Sequence, residues 1–548
     1  MESKTMIEIS GEVLKLVFSE WGSDEYDLFI QSKNLPEHDL SYDWKTDSYT
    51  ITAPARFAHV FGIKNVNIKR DWLPFPENMH DYQKFFLERC ALPSKRFACW
   101  FDTGLGKTYF YLEWARQVSW KTNGRVLLIV PLNILQQTID EAHKFYADYQ
   151  IKALATREEM KAWCKGGAES VGIVNPEKFI PVKGEPEAIS EIKHCTGVVL
   201  DEASILASGG GKIKWALIKS CRGIEYKLTC TATPARNDTM DYASQGSFLE
   251  KLRNENEILW TFFSRDKEGN WRVKKHAEAA FYRFLSGWSC YLRSPLKYGF
   301  KDNLKDLPAP IIKEYRLKPT KEQMDLITHV PDARGQLMLF GNKAKLQMVD
   351  RSKYGQIAKG FIYEGDSRKP KRIHSSKPGF VVDKILKDAA SGLKVLCWTV
   401  FDEESEIIME RLNGRGYLVE CLHGSIPMSK RIPIIERFRK GESDILVSKA
   451  SLLGKGLNFQ NCGSVVFSGF DDSFEKLYQA IRRAYRYGQT KSVKIHIPYI
   501  PELEGVVWQN VQEKQTKFER DVSIMERNFI DAMNTTLNLS HGRKDHDE

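Results

Sequence analysis

The sequence of 548 residues lacks the patterns that mark several large classes of protein. Its ten cysteines form no Cys-x-x-Cys pair and no Cys/His cluster at zinc-binding spacing, so neither a structural zinc site nor a disulfide framework is predicted. No uncharged apolar run reaches about 18 residues, and the first residues form no apolar signal core, so we expect no membrane span and no secretion. Internal repeats and low-complexity tracts are absent as well. We therefore expect a cytoplasmic protein with reduced thiols.

Charge and length narrow the possibilities further. The 81 basic and 71 acidic residues give a formal net charge of +10, which favours a polyanionic partner such as a nucleic acid. Many proteins that bind no polyanion are equally basic, so the charge supports such a partner without identifying it. At roughly 100 to 200 residues per domain, the length predicts about three to five domains.

A change in the spacing of apolar residues divides the first part of the chain into two regions. Residues 1–75 are rich in β-forming and aromatic residues, with short strands predicted at Val13–Phe18 and Tyr49–Ala53. They form a β-rich accessory domain to which the sequence assigns no function. From residue 76 to 238, short apolar runs alternate with helical stretches, which is the pattern of a parallel sheet buried on both faces.

The same alternation returns over residues 377–500 and predicts a second lobe of the same kind. Residues 239–376 lack the strand rhythm and are interpreted as a helical connector or insertion, and residues 501–548 as a helical C-terminal extension. The predicted fold class is therefore α/β, with two tandem lobes built of parallel sheets flanked by helices.

A glycine-rich loop lies between a predicted strand, Phe97–Phe101, and a predicted helix, Tyr109–Val118; its sequence is Asp102-Thr103-Gly104-Leu105-Gly106-Lys107-Thr108. Its glycines let backbone N–H groups approach phosphate oxygens, and the helix that follows offers its positive end. In such a loop Lys107 contacts the β and γ phosphates of ATP while Thr108 ligates Mg²⁺. Phe101 stands where the general pattern has its first glycine.

Two acids end an apolar strand at Asp201 and Glu202, which places carboxylates at the sheet edge beside the phosphate loop. Asp201 is predicted to hold Mg²⁺ and Glu202 to orient or deprotonate the attacking water, although Asp-Glu after a strand is more often a helix cap. The next strand ends in Thr231, Ala232 and Thr233, and the hydroxyl groups of the two threonines are expected to bond the acidic motif and relay its state to the other lobe.

Two further segments complete the predicted ATP site. Tyr82 and Gln83 precede the phosphate loop, where the amide of Gln83 can read the edge of adenine and Tyr82 can stack beneath it. A basic segment, Gln479 to Gln489, lies too far downstream of Lys107 to share its fold unit. An arginine that faces the γ-phosphate from there implies a motor of two lobes.

Taken together, these motifs resemble those of superfamily II helicases and translocases, in particular the Swi/Snf-related branch. The chain is also similar to the small stand-alone DEAD/DEAH-type helicases of bacteriophages and prophages, which suggests a bacterial or phage-infected cytoplasm. Further matches to the branch are Val130-Pro131-Leu132, Cys421-Leu422-His423-Gly424-Ser425, Gly454-Lys455-Gly456-Leu457-Asn458 and Gln479-Ala480-Ile481-Arg482-Arg483-Ala484-Tyr485-Arg486.

The resemblance implies two RecA-like P-loop domains that use ATP and Mg²⁺. By the same resemblance Arg483 and Arg486 face ATP across the cleft, Gln479 couples nucleotide to the lobe interface, and Gly454 belongs to the ATP site. Arg482 is interpreted as part of a solvated basic helix face. The acidic motif departs from the family pattern because it ends in Ala-Ser where Ala-His is usual, which puts the strength of coupling in doubt.

Nucleic-acid contacts are expected from loops on the face that spans both lobes: Pro131, Asn133, Gln136, Asn175, Lys178, Thr399, His423, Ser448 and Lys449. Such contacts go to phosphates and bind without sequence preference, and any one of these residues can equally be an ordinary surface polar group. The segments Tyr291–Pro295 and Leu317–Gln323 resemble the connector of the Swi/Snf-related branch, which is weak in DEAD-box RNA helicases, so the resemblance favours double-stranded DNA over RNA.

The sequence therefore predicts an ATP-dependent DNA helicase or translocase that couples hydrolysis to movement on DNA in replication, recombination or repair. Two alternatives stay open: an ATP-dependent RNA helicase, and an ATP-gated clamp that binds DNA and for which turnover is incidental. Strand separation, polarity, protein partners and oligomeric state are not predicted.

Overall fold

The computed structural model of the protein describes residues 5–10, 13–35, 38–61, 70–146, 148–166, 169–182, 186–207, 211–235, 241–266, 271–301, 307–329, 348–364, 369–450, 452–453, 458–486, 489 and 491–542. Within these ranges, no helix combines the length and the apolar character needed to cross a membrane. All ten cysteines are free thiols, and all ten lie in the two parallel-sheet lobes or directly beside them.

A small antiparallel sheet forms the amino-terminal part, with elements β1 (Met6–Ser10), β2 (Val13–Phe18), α1 (Ser23–Lys33), β3 (Asp39–Asp43) and β4 (Ser48–Pro54). Its strand order is β1-β2-β4-β3. Every second side chain of β2 turns inward, so that Leu14 and Leu16 pack with Ile51 beneath Phe29 of α1. The two strands predicted from the sequence are confirmed, as is the β-rich character of this region.

The first lobe contains a seven-stranded parallel sheet of order β13-β5-β10-β9-β6-β8-β7. Its elements and those inserted among them are α2 (Asp81–Phe86), β5 (Arg96–Phe101), α3 (Lys107–Thr122), β6 (Val126–Ile129), α4 (Leu132–Phe145), β7 (Ile151–Ala153), α5 (Arg157–Gly166), β8 (Val171–Val174), β9 (Gly197–Asp201), α6 (Lys212–Ser220), β10 (Tyr226–Cys230), α7 (Asp241–Phe248), α8 (Glu255–Phe262), β11 (Phe263–Arg265), β12 (Trp271–Val273), α9 (Glu278–Ser286) and β13 (Ser289–Leu292). The inner strands are buried along almost their whole length because helices cover both faces.

The second lobe contains a six-stranded parallel sheet of order β14-β21-β20-β17-β19-β18. Its elements are β14 (Ile311–Arg316), α10 (Lys321–His329), α11 (Met348–Ala358), β15 (Phe361–Glu364), β16 (Lys369–Arg372), α12 (Lys377–Ala390), β17 (Lys394–Thr399), α13 (Asp402–Leu412), β18 (Val419–Leu422), α14 (Met428–Lys440), β19 (Ile445–Lys449), β20 (Cys462–Phe467), α15 (Phe474–Ala484), β21 (Lys494–Tyr499) and α16 (Pro501–Gly542). The predicted fold class is confirmed: two parallel sheets flanked by helices stand in tandem.

The segment predicted as a helical connector contributes a strand to each sheet, which differs from the interpretation of the sequence. β13 extends the first sheet beside β5, and β14 extends the second beside β21. Both are edge strands: β13 is buried but begins with a polar serine, and β14 is largely exposed and carries charged residues. The sequence of either segment alone therefore gives little indication of a strand, and each becomes a strand because it pairs with a neighbouring strand of its sheet.

One long helix, α16, fastens the second lobe to the first. Near its start, the buried carboxylate of Glu504 lies between the ammonium groups of Lys359, at 2.8 Å, and Lys377, at 2.6 Å. Burial lowers the pKa of Lys377 to about 8, in spite of the facing carboxylate. About three turns further on, Lys514 Nζ donates to the backbone oxygen of Asp472 at 2.6 Å. This half of α16 belongs to the second lobe.

The other half of α16 packs against the first lobe. The ring of Phe518 contacts Phe474 of α15, with 5.3 Å between centroids, and also Tyr291 of β13, at 6.2 Å. The hydroxyl of Tyr282 on α9 donates to the carboxylate of Asp521 at 2.7 Å. The amphipathic tail expected from the sequence is thus a single helix with contacts in both lobes.

Candidate functional site

A cleft of about 230 Å³ opens between the carboxyl edge of the first sheet and helix α15 of the second lobe. Both lobes line it with the chemistry-bearing residues of distant segments: Thr103, Gly104, Gly106, Lys107, Thr108, Tyr109, Ile134, Gln137, Thr138, Glu141, Phe145, Asp201, Glu202, Gln460, Gln479, Arg482, Arg483 and Arg486. The predicted phosphate loop, both acids and both predicted arginines therefore meet in one place.

The phosphate loop has the backbone shape that its glycines allow. Gly104 and Gly106 have φ angles of 88° and 67°, in the left-handed region that side-chain-bearing residues avoid. Helix α3 begins at Lys107, so its first N–H groups point into the cleft. The ammonium of Lys107 donates to the backbone oxygens of Phe101, at 3.0 Å, and Asp102, at 3.2 Å. These contacts hold the ammonium beside the end of β5.

Tyr82 and Gln83 lie behind the loop and do not line the cleft, so the structure does not place them against a base as the sequence suggested. The Tyr82 hydroxyl donates to the backbone oxygen of Leu105 at 3.0 Å. The Gln83 amide donates to the same oxygen at 3.2 Å and to that of Gly106 at 3.0 Å. A Cβ atom at Gly106 would lie 2.5 Å from the Gln83 nitrogen. Both side chains are buried braces of the loop, and this is why position 106 requires glycine.

The two acids occupy the end of β9, across the cleft from α15. Asp201 is almost fully buried, and one of its carboxylate oxygens accepts from the backbone N–H of Glu202 at 2.9 Å. Glu202 has a φ of 51°, a left-handed conformation that is uncommon for a residue other than glycine, asparagine or aspartate. Backbone strain of this kind collects at functional sites, where it aims a side chain. Here the carboxylate of Glu202 lines the cleft together with Lys107.

Arg483 and Arg486 reach the cleft from α15 and the turn after it. Burial lowers the pKa of Arg483 to about 10, with Glu202 acting in the opposite direction and Arg486 in the same direction. Burial also lowers the pKa of Arg486. Two desolvated guanidinium groups interact strongly with phosphate because little water screens their charge. An anionic ligand in this cleft would relieve the cost of their burial.

Arg482 is not part of a solvated helix face, contrary to its interpretation from the sequence. Its guanidinium pairs with the carboxylate of Asp102 in the phosphate loop, and its side chain is 13% exposed. Tyr478, one turn earlier on α15, donates to the other oxygen of the same carboxylate at 2.5 Å. Burial alone would lower the pKa of Arg482, but Asp102 raises it overall. The phosphate loop is thus joined directly to the second lobe.

A second connection between the lobes starts from the predicted coupling segment. The hydroxyl of Thr233 donates to Glu475 of α15 at 3.1 Å, and the amide of Gln479 donates to the same carboxylate oxygen at 2.9 Å. Thr231 accepts from the backbone N–H of Thr233 at 3.1 Å, and the backbone oxygen of Ala232 accepts from Tyr291 at 3.4 Å. Thr233 of the first lobe is therefore linked to Gln479, which lines the cleft from the second lobe, because both donate to the carboxylate of Glu475.

The predicted nucleic-acid residues stand at or just after the carboxyl ends of strands in both lobes: Pro131, Asn133 and Gln136 after β6, Asn175 and Lys178 after β8, Thr399 at the end of β17, His423 after β18, and Ser448 and Lys449 at the end of β19. Gly454 lies outside the described residues, as does the rest of its loop up to Leu457.

These residues differ in their access to solvent. Gln136 is exposed, and Pro131, Asn133, Lys178, His423 and Lys449 are partly exposed. Asn175, Thr399 and Ser448 are almost fully buried, and Asn175 and Thr399 bond to Glu177 and Ser405. In this conformation the first set is open to solvent and the second is not, which is a correction to the set expected from the sequence.

The pairing of Asp102 with Arg482 leads to a prediction about turnover. We expect Asp102→Asn and Arg482→Gln each to lower kcat/KM for ATP about tenfold, because each leaves a buried charge without its partner. The double variant is expected to lose no more than either single variant, because the two residues act through one interaction. Steady-state hydrolysis at several ATP concentrations measures all three.

The matched control is Lys476→Gln, which removes an exposed ion pair with Asp471 from the same helix and should change kcat/KM by less than about twofold. Losses that multiply in the double variant would mean that the two charges act independently.

Two family models match the chain on its two lobes. Residues 82–241 match the DEAD/DEAH box helicase family, and residues 377–488 match the helicase conserved C-terminal domain. The first match contains the phosphate loop and both acids of the cleft, and the second contains the three arginines of α15 and its following turn.

Curated relatives extend the likeness over most of the chain. Chromodomain-helicase-DNA-binding protein 9 of Homo sapiens is 24% identical over 418 residues, or 70% of this chain and 13% of that protein. The SWI/SNF chromatin-remodeling complex subunit snf22 of Schizosaccharomyces pombe is 24% identical over 469 residues, or 79% of this chain and 27% of that protein. ATP-dependent RNA helicase DBP3 of Yarrowia lipolytica is 28% identical over 133 residues, or 24% of this chain and 25% of that protein. The chain thus spans about a quarter or less of the length of these relatives.

Among solved structures, the Sulfolobus solfataricus SWI2/SNF2 ATPase core in complex with dsDNA is similar to 85% of this chain and to 96% of its own length, with 20% identity and a TM-score of 0.37. Two parallel-sheet lobes that bring a phosphate loop, two acids and arginines to a shared cleft define a two-lobed P-loop protein with the residues of a nucleotide-hydrolysing site. Within that class, the two lobes match the DEAD/DEAH box helicase model and the helicase conserved C-terminal domain model, and the chain is similar over 70% to 79% of its length to relatives of the Swi/Snf-related branch of superfamily II.

Proposed function

We propose that the protein is a DNA-dependent ATPase that moves along duplex DNA, with ATP binding and hydrolysis at the cleft between the lobes. The observation that carries this proposal is the meeting of Lys107 and Glu202 from one lobe with Arg483 and Arg486 from the other. A site assembled from both lobes is complete only when they are close together, so hydrolysis depends on their relative position. That dependence is what a motor requires.

In this proposal the triphosphate lies along the N-terminus of α3, where loop N–H groups and Lys107 neutralise its charge. Thr108 and Asp201 line the cleft near each other and supply two oxygen ligands, which fits the preference of Mg²⁺ for one or two protein oxygens plus phosphate oxygens. Glu202 orients or deprotonates the attacking water, and Arg483 and Arg486 stabilise the charge that develops on the transferred phosphoryl group.

The coupling step in this proposal uses the contacts that α15 makes with the first lobe. Thr233 and Gln479 share Glu475, and Asp102 pairs with Arg482, so the loss of the γ-phosphate changes the charge balance next to both connections. When these contacts loosen, the second lobe shifts relative to the first and the DNA-binding loops of the two lobes change their spacing. DNA affinity then differs between the two states, as net movement requires.

DNA is the proposed partner because the exposed and partly exposed residues of the expected contact set lie at the same sheet edge as the cleft. Gln136, Lys178, His423 and Lys449 follow strands of both sheets at their carboxyl ends. They are polar or basic, and loops of this kind bind phosphates without reading sequence. The two relatives of the Swi/Snf type have DNA-binding or chromatin-remodeling names, which supports double-stranded DNA for this chain. We place the protein in the cytoplasm of a bacterial or phage-infected cell.

Steady-state hydrolysis of ATP with duplex DNA, single-stranded DNA, forked DNA, RNA or no nucleic acid tests the proposal, with Lys107→Ala as the blank. We expect duplex DNA to raise turnover at least about tenfold and RNA to raise it much less. Stimulation by RNA alone would contradict the proposal and favour an RNA helicase. The similarity to ATP-dependent RNA helicase DBP3 supports that alternative. Hydrolysis by Lys107→Ala at the wild-type rate would place the reaction outside this cleft.

A further inference from the structure

An exposed pair of tryptophans lies on the first lobe, away from the ATP cleft. We name as the tryptophan ribbon the end of α8 from Trp260 together with β11 and β12. Trp260 is 75% exposed, which is unusual for the largest apolar side chain, and Trp271 is half-buried beside it. The two ring centroids are 6.4 Å apart and the rings are nearly perpendicular, at 82°. One face of Trp260 is therefore open to solvent.

The ribbon is held in place before any ligand arrives. Phe262 and Phe263, which follow Trp260, both pack against Phe281 of α9, with centroids 5.5 Å apart in each case. The ammonium of Lys274 on the opposite side donates to the backbone oxygens of Trp260, at 3.0 Å, and Thr261, at 3.3 Å. Because the backbone is fixed from two sides, a planar ligand that stacks on the exposed ring loses little conformational entropy of the protein.

Basic groups flank the exposed ring, and the exposed carboxylate of Glu257 stands one turn before it on α8. The guanidinium of Arg265 lies over the Trp271 ring, 5.0 Å from its centroid, and Arg265 and Lys275 are both exposed. The neighbouring carboxylate of Asp266 forms an ion pair with Arg272 at 3.2 Å, so its charge is offset. An open groove of about 620 Å³ runs between Trp260, Trp271 and Arg265. Aromatic faces with basic groups at their edge are the chemistry that binds unpaired nucleotides.

The position of the ribbon in the lobe agrees with such a ligand. The ribbon precedes α9, whose first residue, Glu278, pairs with Arg520 of α16. Close to Arg520 on the same helix, Phe518 touches Tyr291 near the carboxyl end of β13. The start of α9, and the ribbon before it, thus lie towards the carboxyl edge of the parallel strands. This is the edge on which Gln136 and Lys178 stand.

We propose that the tryptophan ribbon binds single-stranded DNA, with an unpaired base stacked on Trp260 and the flanking phosphates held by Arg265 and Lys275. This inference rests on the proposed function, since it concerns the DNA on which the motor acts. The inference adds a substrate class to the proposed function, namely DNA in which a duplex adjoins an unpaired strand. Phe262 and Phe263 pack the ribbon against the lobe, and the base covers the exposed face of Trp260.

Fluorescence anisotropy of a labelled oligothymidine, without ATP, tests this site. We expect Trp260→Ala to raise the Kd about five- to tenfold, because stacking of one base on an aromatic ring supplies an effect of this order. Trp260→Phe should stay within about twofold of the wild type, since it keeps an aromatic face. The matched control is Trp44→Ala in the amino-terminal sheet, where the tryptophan is 76% exposed, and it should leave the Kd unchanged.

Three further measurements make the result specific. Binding of a blunt duplex should change less than twofold in Trp260→Ala, and thermal unfolding should show that the variant is folded. An oligonucleotide with 5-iodouracil should crosslink on irradiation to the peptide that contains Trp260. An unchanged Kd for oligothymidine in Trp260→Ala, or a crosslink that maps elsewhere, overturns the inference and leaves the ribbon as a protein-facing or structural feature.

The failure of the inference and that of the proposed function give different results. If the wild-type protein shows no stimulation of ATP hydrolysis by any DNA, the proposed function fails. If duplex DNA stimulates the wild type and Trp260→Ala equally while single-strand binding is also equal, the motor stands and the single-strand site does not exist.

Discussion

Replacing Glu202 with glutamine is expected to lower ATP turnover by about 10³-fold while ATP binding stays within a few-fold of the wild type. The carboxylate lines the cleft opposite Arg483, where it can orient or deprotonate a water, and an amide of the same size can do neither well. The left-handed backbone at this position, with φ of 51°, tolerates glutamine as well as glutamate, so the substitution changes chemistry more than shape. Single-turnover hydrolysis and the affinity for a fluorescent ATP analogue separate the two effects.

The control for this variant is Glu225→Gln, which removes an exposed carboxylate of the same lobe that pairs with Lys95. Its turnover should remain within about twofold of the wild type. The same Glu202 variant also decides between a motor and a clamp. A protein that keeps its biological activity without hydrolysis would be an ATP-gated clamp, and a protein that loses it would need turnover.

Arg486→Ala is expected to lower turnover by about 10³-fold as well, with a smaller change in the affinity for ATP. Its side chain is partly buried at the cleft, where desolvation lowers the pKa of the guanidinium and where the charge is less screened than in water. An arginine that contacts the transferred phosphoryl group from the opposite lobe acts mainly on the transition state, and such arginines are worth about 10³ to 10⁵ in rate. Arg486→Lys should recover only part of the loss, since lysine lacks the planar fork.

Arg439→Ala is the matched control for this prediction, because it removes an exposed arginine of the same lobe that pairs with Glu436. Turnover by this control should stay near that of the wild type. If Arg483→Ala loses far more activity than Arg486→Ala, the transition-state contact belongs to Arg483. Equal, small losses in both variants would contradict a finger role for either residue.

Local patterns in the sequence were enough to predict the fold class and, in the cleft, the phosphate loop and the two acids. Each inner strand is a short apolar run, and the loop from Asp102 to Thr108 has a backbone shape that glycine spacing alone indicates. The acids at positions 201 and 202 follow such a run directly. These features depend on neighbours within a few residues, so one sequence is sufficient to find them.

Features that depend on distant packing were not predictable in this way. Arg482 pairs with Asp102, which lies 380 residues earlier in the chain. The residues around position 482 do not distinguish this buried arginine from a solvent-exposed one. Thr399 is buried and shares a hydrogen bond of 2.7 Å with Ser405, although its position at the end of a strand suggested a DNA contact. Gln83 faces the phosphate loop from behind because of how α2 packs, which the sequence order does not specify.

Helix α16 sets a mechanical limit on how the two lobes can move apart. Its early turns are clamped in the second lobe through Glu504 and Lys514, and its later turns are clamped in the first lobe through Asp521. Because α16 is held in both lobes, the lobes can separate only if one set of its contacts breaks or if the helix bends between them. The short stretch around Phe518, where the ring touches both lobes at once, is the fulcrum for such flexing. Separation of the lobes is therefore expected to occur as a rotation about this stretch of α16.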